Sequence, residues 1–285
     1  MTLYHYCSTE TFVAIVANRS IRLSSLRLSN DTLEGQLVRG VITDLANEER
    51  LGPETLMRLE KSFGALDKVF DGLGFCLSEE GDLLSQWRGY ADDANGLSIG
   101  FGNEYLRKLA SIREAGAPWF ALQQVQYEPT IHRAKVKPLF DEIRAMVADG
   151  AFRTRSTLKA MLDPRTDEEF AADLEAANRK DQQLHVRMLQ ALPMLFELKS
   201  HAFREEREWR LVGIRTPVDE KAEFRGARNR IVPFRSYELR ALDVPAIERV
   251  YLGPRNITPP EVVQSLLRNN GFGEVEVLRS QASYR

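Results

Sequence analysis

With 285 residues, 43% of them apolar and 28% charged, the chain has the composition of a soluble globular protein of one or two domains with a sizeable core. Its 39 basic and 41 acidic residues leave a net charge of -2, which argues against a general nucleic-acid coat but leaves room for a local basic patch. Cys7 and Cys76 are its two cysteines, which excludes a disulfide-dense scaffold and makes reduced thiols the default.

Met1 to Tyr6 shows no basic segment leading into an apolar one, so no secretory leader is expected. The longest early apolar run, Phe12 to Ala17, is too short to span a bilayer. A cytoplasmic protein without a membrane partner is the expectation.

Leu3-Tyr-His-Tyr6 reads as a short aromatic strand. Ser8 or Thr9 can cap the helix after it, whose buried face holds Phe12, Ile15 and Val16 at helical spacing. Ile21 to Ser24 alternates like a second strand. Asp31 and Glu34 have capping-box spacing at the start of a helix that runs to about Asn47. Gly52-Pro53 separates it from another ending near Phe70.

Gly74 to Ser78 is a compact strand, and Glu79 to Tyr90 a loop with a short helix. Asp92-Asp-Ala-Asn-Gly96 is turn chemistry before the strand Leu97 to Phe101. Residues 119–127 add another strand. From about Thr130 to His201 the composition turns helical, with breaks at Gly150, Asp163-Pro164 and Pro193. Because strands resume afterwards, this block (about 130–203) reads as a helical insertion within one domain spanning 1–285. Glu208 to Ile214 is a strand and Arg225 to Arg230 a basic, Gly-containing loop. Ile231 to Phe234 and Val250 to Gly253 are further strands, Pro259 to Asn269 is a helix, and Val275 to Leu278 is the last strand. The fold class is α+β, with small mixed or antiparallel sheets forming a cleft.

The stretch Lys199 to Gly213 concentrates charge ahead of an apolar strand. Glu206 and Glu208 are two apart, so in extended chain both carboxylates project the same way with Arg210 next along, while Trp209 and Leu211 face away. The competing reading is a solvated ladder of Arg204, Glu206, Arg207, Glu208 and Arg210, each pair worth little. None of the four histidines has His-x-x-x-His spacing and no Cys-x-x-Cys exists, so no metal is expected. Phosphate-loop and dinucleotide glycine patterns are absent, as is a nucleophile elbow. His5 and Cys7 share a strand face, although a strand cysteine is usually a small buried hydrophobe. His5, Tyr6, Ser78, Trp87, Tyr90, Glu206 and Glu208 form a set of polar or aromatic groups that recur at strand ends and in the connections beside them, early, midway and late in the chain, where loops can build a cleft.

These blocks resemble the bacterial domain-of-unknown-function family twenty-nine seventy-one. Its members open on a Leu-Tyr-His-Tyr-Thr-like strand, here Leu3 to Ser8, and continue with Asn-Asp-x-x-Glu, here Asn30 to Glu34. A Cys-Phe-Ser…Trp-x-x-Tyr-Ala segment corresponds to Cys76-Leu-Ser78 and Trp87 to Ala91, followed by Gly-x-x-Ile-Gly-Phe at Gly96 to Phe101. The late signature Lys-x-x-x-Phe-x-x-Glu-x-Glu-Trp-Arg is Lys199 to Arg210. Cys7 stands where Thr is usual and Leu77 where Phe is usual.

The motif order, an early His, a central Ser or Tyr and a late Glu, is similar to that of ADP-ribosyltransferases. That resemblance implies two small antiparallel sheets packed face to face, with NAD as substrate between them. It implies Glu208 stabilising the oxocarbenium-like sugar, Glu206 positioning or deprotonating the acceptor, and His5 on a ribose hydroxyl. Tyr90 or Tyr6 would stack on nicotinamide, Ser78 and Trp87 would line the site, and Arg88 and Arg210 would contact pyrophosphate. The expected function is an NAD-dependent ADP-ribosyltransferase-like enzyme, a defence or toxin effector modifying protein or nucleic acid. One alternative is a non-enzymatic nucleotide or nucleic-acid binding module using Trp87, Tyr90 and Arg225 to Arg230. A third is a magnesium nuclease using Asp31, Glu34, Glu206 and Glu208.

Overall fold

The computed structural model describes residues 1–29, 35–112, 120–152, 167–216, 223–227 and 229–284. Its first elements are β1 (Thr2–Cys7), α1 (Thr9–Asn18), β2 (Ser20–Ser25), α2 (Leu37–Glu48), α3 (Pro53–Val69), β3 (Asp71–Ser78), α4 (Leu84–Tyr90), β4 (Leu97–Gly102) and α5 (Asn103–Ser111). There follow β5 (Phe120–Gln124), α6 (Pro129–Ala148), α7 (Asp167–Met188), α8 (Leu192–Leu195), β6 (Glu208–Arg215), β7 (Glu223–Ala227), β8 (Arg230–Glu238), β9 (Ile247–Leu252), α9 (Pro260–Asn269) and β10 (Glu276–Arg279). They fall into two compact units. One comprises Met1–Asn30, Asp71–Val125 and Ala202–Arg285; the other comprises Asp31–Phe70 and Gln126–His201.

The first unit holds all the named strands. They join in one ten-stranded sheet of order β10-β9-β4-β1-β3-β2-β8-β7, with β6 added to β3 and β5 to β6. Every pair is antiparallel except β9 with β10. The branch is at β3. Its whole length pairs with β6, while its other edge is divided between β2, at Gly74 and Leu73, and β1, at Ser78. The α+β class with mostly antiparallel strands is therefore as expected, but the strands form one branched sheet where separate small sheets were expected. Long-range pairing at β3 unites them, and no local pattern encodes it.

Side-chain alternation makes one face of this sheet the core. Leu3, Cys7, Leu23, Phe75, Leu77, Leu97, Ile99, Phe101, Leu211 and Val250 are all buried there. Helices α1, α5 and α9 close over them with Phe12, Ile15, Val16, Leu106, Leu109, Val263 and Leu267. The start of α1 follows the sequence: Ser8 is extended and its hydroxyl accepts the Thr11 N–H. The turn after α4 is tight, with Asp92, Asp93 and Ala94 at positive φ. Gly96 closes it, donating its N–H to the Ala91 carbonyl at 2.8 Å. A Cβ there would lie 2.0 Å from the Cys7 carbonyl oxygen, so only glycine fits.

Within the basic stretch, Arg225 to Ala227 belong to β7 and Arg230 opens β8, with Gly226 opposite Ile231 and Ala227 opposite Arg230. Arginine-rich composition concealed a strand because long charged side chains suit an exposed strand at a sheet edge. Arg228 lies outside the described residues, as do Asn30 to Glu34 and the Asp163-Pro164 break.

The second unit is helical. Val38, Ile42 and Leu45 of α2, Leu59 and Phe63 of α3, and Val136, Leu139, Phe140 and Ile143 of α6 are buried in it. Leu184 and Met188 of α7 and Leu192 and Leu195 of α8 are buried there too. Pro53 and Pro129 occupy first-turn positions, where a missing N–H costs nothing.

Candidate active site

Two registers, Tyr4 opposite Ser78 and Ser78 opposite Glu208, determine which side chains share a face. Tyr4, Tyr6, Cys76, Ser78, Glu208 and Arg210 project from the face away from the main core. His5, Phe75, Leu77 and Trp209 project from the core face.

At the end of β3, Ser78 donates its hydroxyl to the Glu206 carbonyl at 2.7 Å and accepts the Glu80 N–H at 3.1 Å. Glu206 closes a 3-10 turn over His201–Glu206, and Glu208 is the first residue of β6. Between them Arg207 adopts a left-handed φ of 43°. The two acids therefore do not share one extended segment, and strand alternation does not relate them. The kink at Arg207 is the reason.

The two carboxylates differ in setting. Glu208 is buried, and Arg210 holds it at both oxygens, Nε at 2.7 Å and Nη2 at 2.9 Å. Their side chains are only 6% and 2% exposed. Glu206 is half-buried, and its Oε1 accepts the Tyr90 hydroxyl at 3.0 Å. Tyr90, at the end of α4, is 39% exposed. Nearby, Glu79 accepts the Trp209 indole N–H at 2.8 Å and Glu80 pairs with Arg207.

His5 lies elsewhere. Its Nδ1 is 2.8 Å from the Cys76 carbonyl, which can only accept, so Nδ1 carries the proton. The β1–β3 pairing is at Tyr4 opposite Ser78, and the His5 imidazole adds a side-chain link between the same two strands. The ring stacks on Phe75 with centroids 4.0 Å apart. Desolvation outweighs the carbonyl bond and lowers its pKa to about 4, so it is neutral at pH 7. Cys7 is buried and its thiol is pushed up in pKa, which leaves no thiolate for nucleophilic work.

Other expected site residues are committed to packing. The Tyr6 hydroxyl donates to the Glu80 carbonyl at 2.8 Å and accepts the Leu83 N–H at 2.9 Å. Trp87 is fully buried, edge-on to Tyr6, with its indole N–H on Asp82 at 2.7 Å. Arg88 is exposed, its guanidinium 5.9 Å from the Tyr284 ring. The structure thus brings Ser78, Tyr90, Glu206, Glu208 and Arg210 to one strand end and leaves His5 on the other face.

Sequence reasoning passed over Asp82, which also accepts the Ser280 hydroxyl and the Gln281 N–H. Only the fold brings the last residues of the chain to it. Among the described residues, no group of three or more His, Cys, Asp or Glu side chains is placed to hold a metal ion. Nor is any described helix long and apolar enough to cross a membrane.

No curated protein and no solved structure matches the chain. A family model does, over residues 86–211, a span that includes Trp87, Arg88, Tyr90, Glu206, Glu208 and Arg210. Its description is "Protein of unknown function (DUF2971)", and over that span, less than half of the chain, the sequence is similar to that family.

Proposed function

We propose that the chain is a cytoplasmic, NAD-dependent ADP-ribosyltransferase-like enzyme acting on a protein or nucleic-acid acceptor. The observation that carries this reading is the Tyr90–Glu206 contact beside the Glu208–Arg210 pair at the joined ends of β3 and β6. Breaking the nicotinamide–ribose bond sends the bonding pair to nicotinamide and builds positive charge on the sugar. A placed carboxylate stabilises that charge. The acceptor's lone pair then forms the new bond to the sugar carbon, and its proton passes to a carboxylate.

On this reading the two acids, which differ in setting, take different parts. Glu206 is the accessible one, aligned by a hydroxyl, and is the acid that meets ribose and acceptor. Glu208 is buried against Arg210 and acts as a positioning residue that sets the start of β6. Tyr90, with its ring partly exposed, supplies a stacking surface for nicotinamide.

The test is nicotinamide release from NAD, with cell-extract protein and nucleic acid offered as acceptors. Glu206→Gln should lower release by about a hundredfold, as loss of one transition-state electrostatic partner does. Release that is absent from the wild type with every acceptor, or equal in the variant, would sink the reading.

A further inference from the structure

Strands β2, β8 and β7 are consecutive neighbours at one end of the sheet. Ser24 lies opposite Phe234 and Phe234 opposite Glu223, while Arg22 faces Ser236 and Arg225 faces Val232. Arg22, Ser24, Val232, Phe234 and Arg225 therefore share one face. Val232 and Phe234 are each only 4% exposed and form an apolar floor. The Arg22 guanidinium carbon stands 4.8 Å from the Phe234 ring centroid. Arg225 Nη2 stands 3.4 Å from the Ser24 hydroxyl oxygen.

Among the described residues neither guanidinium forms an ion pair with a carboxylate. Glu223, which shares this face, accepts the Ser236 N–H at 3.2 Å. Two like charges are thus gathered around one hydroxyl. Desolvation, then the field of Arg22, hold the Arg225 pKa below its ordinary value. Such a grouping is unfavourable by itself and becomes favourable when a dianion enters it. A phosphoryl group has enough oxygens to accept from two guanidinium forks and a hydroxyl together, whereas a carboxylate suits one fork.

We propose that Arg22, Arg225 and Ser24 form a binding site for a phosphate group of a nucleotide or polynucleotide. Ser24 pairs with Gly74, four residues before Ser78 on β3, so the site lies about 13 Å along the strand from the Ser78–Glu208 row at roughly 3.4 Å per residue. It shares that row's face of the sheet. The proposal does not depend on NAD cleavage.

The experiment is calorimetric titration of the full chain with inorganic pyrophosphate at low salt. The wild type should bind, and Arg22→Gln and Arg225→Gln should each weaken binding by about tenfold, the size of one charge-assisted contact. Arg225→Lys, which keeps the charge but loses the fork, should fall between. Circular dichroism checks that each variant is folded. No binding by the wild type, or equal binding by both folded glutamine variants, would overturn the proposal. Displacement of pyrophosphate by NAD assigns the phosphate to a dinucleotide. Displacement by oligothymidylate, steeply weakened by salt, assigns it to a polynucleotide. Glu206→Gln should leave pyrophosphate affinity unchanged, so this site and the cleavage reading fail separately.

Discussion

The two faces of the ten-stranded sheet are built from the same strands and serve opposite ends. One is an apolar surface closed by α1, α5 and α9, with Leu3, Phe75, Ile99, Phe101 and Leu211 in its core. The other carries Tyr4, Tyr6, Ser78, Glu208, Arg210 and, further along, Arg22 and Ser24. His5 and Tyr6 are adjacent in sequence and belong to different faces. The first face gains from burial itself, and its members can be exchanged for others of like volume. The second gains only if each buried polar group finds its partner, because an orphaned one costs more than its bond contributes.

That contrast is sharpest when one large residue is removed from each face. Phe101→Ala on the core face should cost about 3–5 kcal/mol. Arg210→Ala on the other should cost a similar 3–5 kcal/mol or so, by leaving Glu208 buried without the cation that holds both its oxygens. The causes separate in the second step. Glu208→Leu added to Arg210→Met should recover much of the loss, whereas no single partner change should rescue Phe101→Ala. Urea denaturation of the three variants beside the wild type measures this, and failure of the double substitution to improve on Arg210→Ala would erase the distinction.

His5 sits on the core face as a titratable group. The folded chain keeps it neutral down to about pH 4, whereas the unfolded chain takes up its proton near the ordinary 6.5. As pH falls the unfolded state gains protons first, so stability falls between 6.5 and 4 and the loss is complete below. The amount is on the order of 1–3 kcal/mol. His5→Asn can still donate to the Cys76 carbonyl but does not titrate, so its stability should stay flatter over that window. Parallel curves for the two proteins would show that the imidazole is not desolvated.

The smallest effect belongs to the partly exposed contact. Tyr90→Phe removes the hydroxyl from Glu206 and should change stability by no more than about 1 kcal/mol. Nicotinamide release should nevertheless fall by about tenfold if the hydroxyl aligns the acid. A large drop in melting temperature would make this contact structural and return Tyr90 to packing.

Local patterns carried much of the fold. Ser8 caps α1, Gly52-Pro53 parts α2 from α3, and the mainly apolar run from Trp209 to Ile214 marks β6, because each depends on a few neighbouring residues. The errors have one origin. Arginine is not a residue that announces a left-handed turn, so the kink at Arg207 that separates Glu206 from Glu208 had no visible signal. Trp87 could have been a stacking platform or a packing residue, and only its burial against Tyr6 decides.

The sequence by itself determined the composition class, the family signature and most helices and strands, since these follow from side-chain spacing over short spans. The tertiary structure alone decided that β3 holds β6 on one edge and shares the other between β1 and β2. That pairing places the Glu208–Arg210 pair beside Ser78 and turns His5 to the opposite face. The physical reason is that a side chain's face is relative. Alternation tells which residues lie together within a strand, but only hydrogen-bond register between distant strands tells which faces coincide.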